Sequence, residues 1–199
     1  MTHFLSKAAL GACALLLSGC FVAENDAANP IIPDASLAYP LKVGAAKECS
    51  ESADGQQCKR AQITRLPAGG YEFRTWDADA GPDDEPTTDT IRMRALQGKG
   101  IPNDTYLVQQ MQSLSDDGVL GLLVRRPDGA WVKVSPQCEN LRPANFVAFM
   151  NDHWIQTGSE QLSSMKCEIR RDGLTDERLY QILDAPKKSS EPTLIFDGA

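Results

Sequence analysis

Of the six cysteines in this 199-residue chain, four sit in its polar body: Cys49, Cys58, Cys138 and Cys167. Thiolates bind zinc, exchange electrons or cross-link. Zinc sites favour a C-x₂₋₄-C spacing and redox pairs a C-x-x-C, and no two of these four have either. Cross-linking is what is left, so two disulfides are expected, which places the chain in an oxidising compartment. Four cysteines allow three connectivities. The polar stretch Ser50 to Gln57 would turn back on itself, so pairing 49–58 with 138–167 asks least of the chain.

The other reactive residue types are sparse. There are two histidines, His3 and His153. A lone histidine in the body cannot build a histidine-based zinc site, and any Ser-His-Asp triad would have to use His153. Ser159, in Gly158-Ser159-Glu160-Gln161, lacks the second glycine of a nucleophile elbow. The acidic run Asp77 to Glu85 begins like a calcium loop. Counted from Asp77, however, Pro82 and Thr88 stand where an EF-hand needs glycine and a bidentate glutamate. A solvated hairpin loop is expected there. Trp76, Trp131 and Tyr106 read as core or cross-strand pairs, with an exposed aromatic patch as the alternative. Arg125-Arg126 and Arg170-Arg171 read as solvated strand ends. No catalytic residue, metal ligand or cofactor site is assigned from these residues.

The front of the chain carries the clearest signal. Lys7 precedes an apolar run, Ala8 to Leu17, followed by the small residues Ser18 and Gly19, which is the pattern of a secretory signal peptide. The run is too short for a permanent membrane helix, which needs about 20 apolar residues. In Leu17-Ser18-Gly19-Cys20 the chain resembles bacterial lipoproteins, whose lipobox has an aliphatic residue, two small residues and then the modified cysteine. The resemblance implies cleavage before Cys20, a diacylglyceryl thioether on Cys20 and acylation of the new amino terminus. It covers only this segment. Two or more chains hold a protein durably on a membrane, at about 0.8 kcal/mol per buried methylene. Such lipoproteins tend to stay in the inner membrane when aspartate follows the cysteine. Phe21 stands there here, so the periplasmic face of the outer membrane is the expected location.

Loss of residues 1–19 removes one formal charge, Lys7, and leaves a chain of formal charge −7 more acidic still. That argues against nucleic acid as a partner. The expected organisation is a signal peptide over 1–19, a flexible tether over 20–36 and a single globular disulfide-stabilised domain over 37–199. The tether reading rests on small and polar residues interrupted by Pro30 and Pro33.

Short alternating runs bounded by turn residues predict the positioning elements. They are Gln62 to Leu66, Tyr71 to Trp76, Ile91 to Leu96, Tyr106 to Met111, Val119 to Val124 and Trp131 to Val134. A first short element is expected near Leu37 to Leu41 and a last strand at Thr193 to Phe196. Phe146, Phe149, Met150 and Trp154 share one face of a helix predicted over Pro143 to Trp154, with His153 beside them. A second helix is predicted over Asp176 to Leu183. Thr175 is its N-cap, acids fill its first turn, and Leu174 and Leu179 form its staple. The fold class is α+β and strand-dominated, an antiparallel meander forming a small barrel or curved sheet with one or two covering helices.

The function expected from the anchor is a non-enzymatic binding or accessory subunit of the cell envelope, attached to the membrane through Cys20. Its partner would be another envelope protein or a cell-wall component. The alternatives are a hydrolase using paired carboxylates on cell-wall or glycan material, and an enzyme inhibitor presenting a loop such as 77–90.

Overall fold

The computed structural model describes residues 20–23, 31–52, 55–81, 83–111, 118–157, 166–186 and 193–197. The signal segment 1–19, with Cys13, and Ser159 lie outside the described residues. Within the described residues the strands are β1 (Phe21–Ala23), β2 (Gly44–Ser52), β3 (Gly55–Arg65), β4 (Tyr71–Trp76), β5 (Thr87–Ala95) and β6 (Thr105–Met111). They continue with β7 (Val119–Arg125), β8 (Trp131–Val134), β9 (Ile155–Thr157), β10 (Cys167–Ile169) and β11 (Thr193–Asp197). The helices are α1 (Pro143–Asn151) and α2 (Asp176–Asp184).

β2 through β8 form an antiparallel meander in chain order. β11 then pairs with both β8 and β2, which closes a barrel of eight antiparallel strands. The fold is thus α+β and strand-dominated, and closure removes the exposed edges an open sheet would present. An eight-stranded barrel leaves an interior just wide enough for side chains. Alternation sends Ala61 and Ile63, Tyr71 and Phe73, Ile91 and Met93, Val108, Leu123, Trp131 and Ile195 into that interior as one buried cluster.

A second core lies on the outer side of β6 and β7. Leu107, Leu120 and Leu122 face outward there and are covered by β1, β9, β10 and the buried side of α2, Leu179, Ile182 and Leu183. β7 is therefore apolar on both faces, which is why Leu120 to Leu123 does not alternate. Gly121 leaves no room for a side chain against β8: a Cβ on it would meet the Val134 carbonyl oxygen at 2.5 Å.

The end of the barrel nearest Tyr39 and Leu41 is stoppered. Burial pushes the Tyr71 phenol up to about 12, and its hydroxyl is held by the Leu41 backbone, accepting from N–H at 3.0 Å and donating to C=O at 2.9 Å. Tyr39 packs edge-on against Tyr71 at 5.6 Å, with the Arg65 guanidinium 3.4 Å above its ring.

Several expectations are corrected. The tether over 20–36 fails at both ends. Phe21–Ala23 is a buried strand, parallel to β10 and antiparallel to β7, and Ile31 and Ile32 are buried in the second core. Residues 24–30 lie outside the described residues. Apolar side chains too few to show periodicity are still worth burying when a neighbouring edge can pair with them. The polar stretch Ser50 to Gln57 does turn back on itself as expected, as the end of a hairpin in which β2 runs to Ser52 and β3 starts opposite it at Gly55. The helix predicted to reach Trp154 stops at Asn151, and His153 takes a left-handed conformation (φ 56°) and is exposed rather than on the packed face. Trp131 and Tyr106, by contrast, lie against the barrel core with rings 5.8 Å apart, as the core or cross-strand reading expects, and Trp76 is half-buried with the Arg60 guanidinium over its ring.

Both expected disulfides form in the pairing that asked least of the chain. Cys49–Cys58 links directly opposed residues of β2 and β3. Cys138–Cys167, with Cα atoms 5.8 Å apart, ties β10 to the turn that leads into α1.

Candidate functional site

The interior changes character along the barrel axis. On β2 the inward series runs from Ala46 to Glu48 and Ser50; on β3 it runs back from Ala61 to Lys59 and Gln57. On β8 it runs from Trp131 to Lys133, and after β4 it reaches Asp77 two positions beyond Thr75. The half-barrel near Tyr71 is filled with apolar side chains, while the opposite mouth is lined by charge.

Lys133 Nζ lies 3.3 Å from Glu48 Oε1, and the two side chains are only 12% and 19% exposed. Glu48 stands opposite Lys59 in the β2–β3 register. Lys59 Nζ in turn lies 2.6 Å from Asp77 Oδ1, in a pair that is 53% and 71% exposed. The row Lys133, Glu48, Lys59, Asp77 therefore alternates in sign across the mouth, buried at one end and open to water at the other. The Asp77 carboxylate, by hydrogen bond and charge with Glu48 adding to it, holds the Lys59 ammonium above its usual range. A lysine held protonated is neither a nucleophile nor a base.

A cleft of about 440 Å³ opens here, with Ser50, Gln57, Asp79 and Thr193 joining Glu48, Lys59 and Asp77 in its wall. Sequence reasoning missed it because Glu48, Lys59 and Lys133 read as ordinary surface charges. The signal that could have found them is parity: each stands two positions from an apolar residue that faces the interior. The acidic loop contributes Asp77 and Asp79 to the cleft and is braced by Asp84, whose Oδ2 accepts from Gly81 N at 2.6 Å. Among the described residues no three His, Cys, Asp or Glu side chains come together as a metal site.

Cys20 lies in neither disulfide and is half-buried on the flank of the barrel. It bridges to Gln137, and its carbonyl accepts the Cys167 N–H at 3.1 Å. Its neighbour Phe21 is fully buried. A group carried on Cys20 would therefore leave the molecule from a fixed point on the sheet.

Compared with known proteins, the chain matches no family model, no curated protein and no solved structure.

Proposed function

We propose that this chain is a lipid-anchored cell-envelope protein, held on the periplasmic face of the outer membrane through acyl chains on Cys20. Its barrel acts as a non-enzymatic binding or accessory subunit, with the charged mouth as the binding surface for another envelope protein or a cell-wall component. The anchor rests on Leu17-Ser18-Gly19-Cys20. The binding role rests on one observation above all: the alternating row Lys133, Glu48, Lys59, Asp77 stands over an interior already filled by its own side chains. Such a mouth offers an open cleft walled by charge rather than a deep apolar cavity, and it can exchange its exposed ion pair for the charges of a polar ligand. Glu48 and Asp77 each face an ammonium.

The test is site-specific photo-cross-linking in the intact envelope from Gln57 at the mouth and from Arg74 on the outer wall. Exchanging the exposed pair, Lys59→Asp with Asp77→Lys, preserves the attraction but reverses the charges a partner meets. The reading requires a discrete product from Gln57 that the exchange abolishes and that Arg74 does not give. Equal products from both positions, or products indifferent to the exchange, contradict it.

A further inference from the structure

The two helices are built differently. α2 has the devices of a water-exposed helix: Thr175 Oγ1 accepts from Arg178 N at 3.3 Å, and Asp176 and Glu177 complement the dipole in the first turn. α1 has none of them. No side chain caps it, no acid lies in its first turn, and cationic Arg142 stands at its positive end with Asp152 just past its negative end. Its nine residues, Pro-Ala-Asn-Phe-Val-Ala-Phe-Met-Asn, include no charge. Phe146, Phe149 and Met150 pack on the second core, and Phe149 stacks on Trp154 at 5.4 Å. The opposite face presents Ala144, Val147 and Ala148 to solvent with the uncharged Asn151 at its end, and Val147 is 54% exposed. An exposed helix face normally carries charge.

The position of that face gives it a partner. Cys20 bridges to Gln137, Cys138 is bonded to Cys167, and Cys167 is paired with Phe21. The chain then enters α1 at Pro143, six residues on from the Gln137 that bridges to Cys20, so the start of the helix is tied to the anchor end by a short run of chain. α1 returns along β9, which pairs with β10 and through it with β1. Two exposed cations flank the anchor end of this layer: Arg142 before α1 and Lys166 before Cys167. The nearby acids Glu139 and Glu168 are half-buried, and Glu168 accepts from Gln156 Nε2 at 2.7 Å.

We propose that α1 is a membrane-contacting helix. Its Ala144, Val147 and Ala148 face rests in the interface of the bilayer that holds the acyl chains of Cys20, with Arg142 and Lys166 at the lipid phosphates. The inference rests on the anchor proposed above and adds an orientation to it: a barrel lying on its flank, its charged mouth free to the side. Interfacial helices seat an apolar face among the headgroups with basic residues beside it in this manner.

The test uses the full-length lipidated protein, its acylation first established by intact mass. It is reconstituted in vesicles of phosphatidylethanolamine and phosphatidylglycerol containing a phospholipid with a photoreactive acyl chain. Digestion and mass mapping should place lipid adducts on residues 143–151. Val147→Asp, at a position exposed enough to keep the fold, should lose those adducts while the protein stays vesicle-bound through Cys20. Adducts confined to the residues around Cys20, adducts spread evenly over the barrel, or an unchanged pattern in Val147→Asp would overturn the proposal and leave the anchor standing. Cross-links from α1 to a second copy or another protein in place of lipid would also overturn it. A chain that carries no acyl group fails at the first step and removes the anchor reading itself.

Discussion

The carbonyl of Cys20 accepts a hydrogen bond from the backbone N–H of Cys167 at 3.1 Å, one residue from the point where Phe21 and Cys167 pair in parallel strands. Cys167 is also bonded to Cys138. The residue proposed to carry the lipid is thus joined by strand pairing to a cross-linked part of the domain.

That coupling makes the two disulfides unequal. Replacing Cys138 and Cys167 by serine frees a loop of sequence separation 29 and should cost about 3–4 kcal/mol, against about 3 kcal/mol for Cys49 and Cys58 at separation 9. Denaturant titration measures both losses. Hydrogen exchange should show β1 and β10 losing protection in the first variant and keeping it in the second, because Cys49–Cys58 lies across the barrel wall from that layer.

The stopper at Tyr71 predicts an alkaline transition. Its phenol titrates at about 12 when folded, against an ordinary value near 10, so the unfolded chain gives up the proton first. Its contribution is fully present below pH 10 and is lost as pH rises toward 12, up to about 3 kcal/mol. Tyr71→Phe leaves the Leu41 N–H and C=O without their partner and should cost about 1–3 kcal/mol at neutral pH. It should also flatten that part of the stability profile between pH 10 and 12.

Gly121→Ala should destabilise by about 1–3 kcal/mol, because the new methyl would press on the Val134 carbonyl oxygen, which is backbone and cannot swing aside. Gly129, in the turn between β7 and β8, meets nothing within 4 Å, but its φ of 89° strains any other residue. Thermal unfolding of Gly121→Ala, set beside Gly129→Ala, separates crowding from backbone strain. A Gly121→Ala protein as stable as the parent would mean that β7 and β8 do not approach as described.

Asp176 fastens α2 to the barrel, accepting from Arg94 Nη1 at 2.7 Å and from the Gln97 backbone N–H at 2.9 Å. Asp176→Ala should cost about 1–3 kcal/mol, since Arg94, 17% exposed, is left without its carboxylate. Thr175→Ala removes the cap and the side-chain hydrogen bond with Glu177, both local to the helix, and should cost about 1 kcal/mol. The larger loss at Asp176 is the sign that its role reaches beyond the helix.

What could be read from the sequence follows how many residues each signal spans. α2 was legible to within a residue, from Thr175, its acids and the Leu174 and Leu179 staple, because capping chemistry is local. β4 and β5 were legible because one face is apolar and the other polar, and β7 was legible as a short apolar run bounded by turn residues although it is buried on both faces. β2 was not, since its inward residues turn polar at Glu48 and Ser50 to line the mouth, and alternation vanishes when both faces are polar. β1, β9 and β10 are three residues each, too short for any period; β1 forms because the start of β7 offers it pairing at Val119, and β10 and β9 then add to β1 in turn. The charged mouth went unread for the same reason as β2: its members belong to different strands and meet only on closure. Cys20 is proposed as a modification site from its neighbours in sequence alone, while its seat in the sheet depends on residues far along the chain.

The central claim is a lipid on a cysteine that the fold holds in place, and the most direct measurement is the intact mass of the protein extracted from membranes, with and without reduction and alkylation. The account requires a mass of residues 20–199 plus acyl chains, with four thiols appearing only after reduction. A mass without acyl chains, or one that retains residues 1–19, would contradict it.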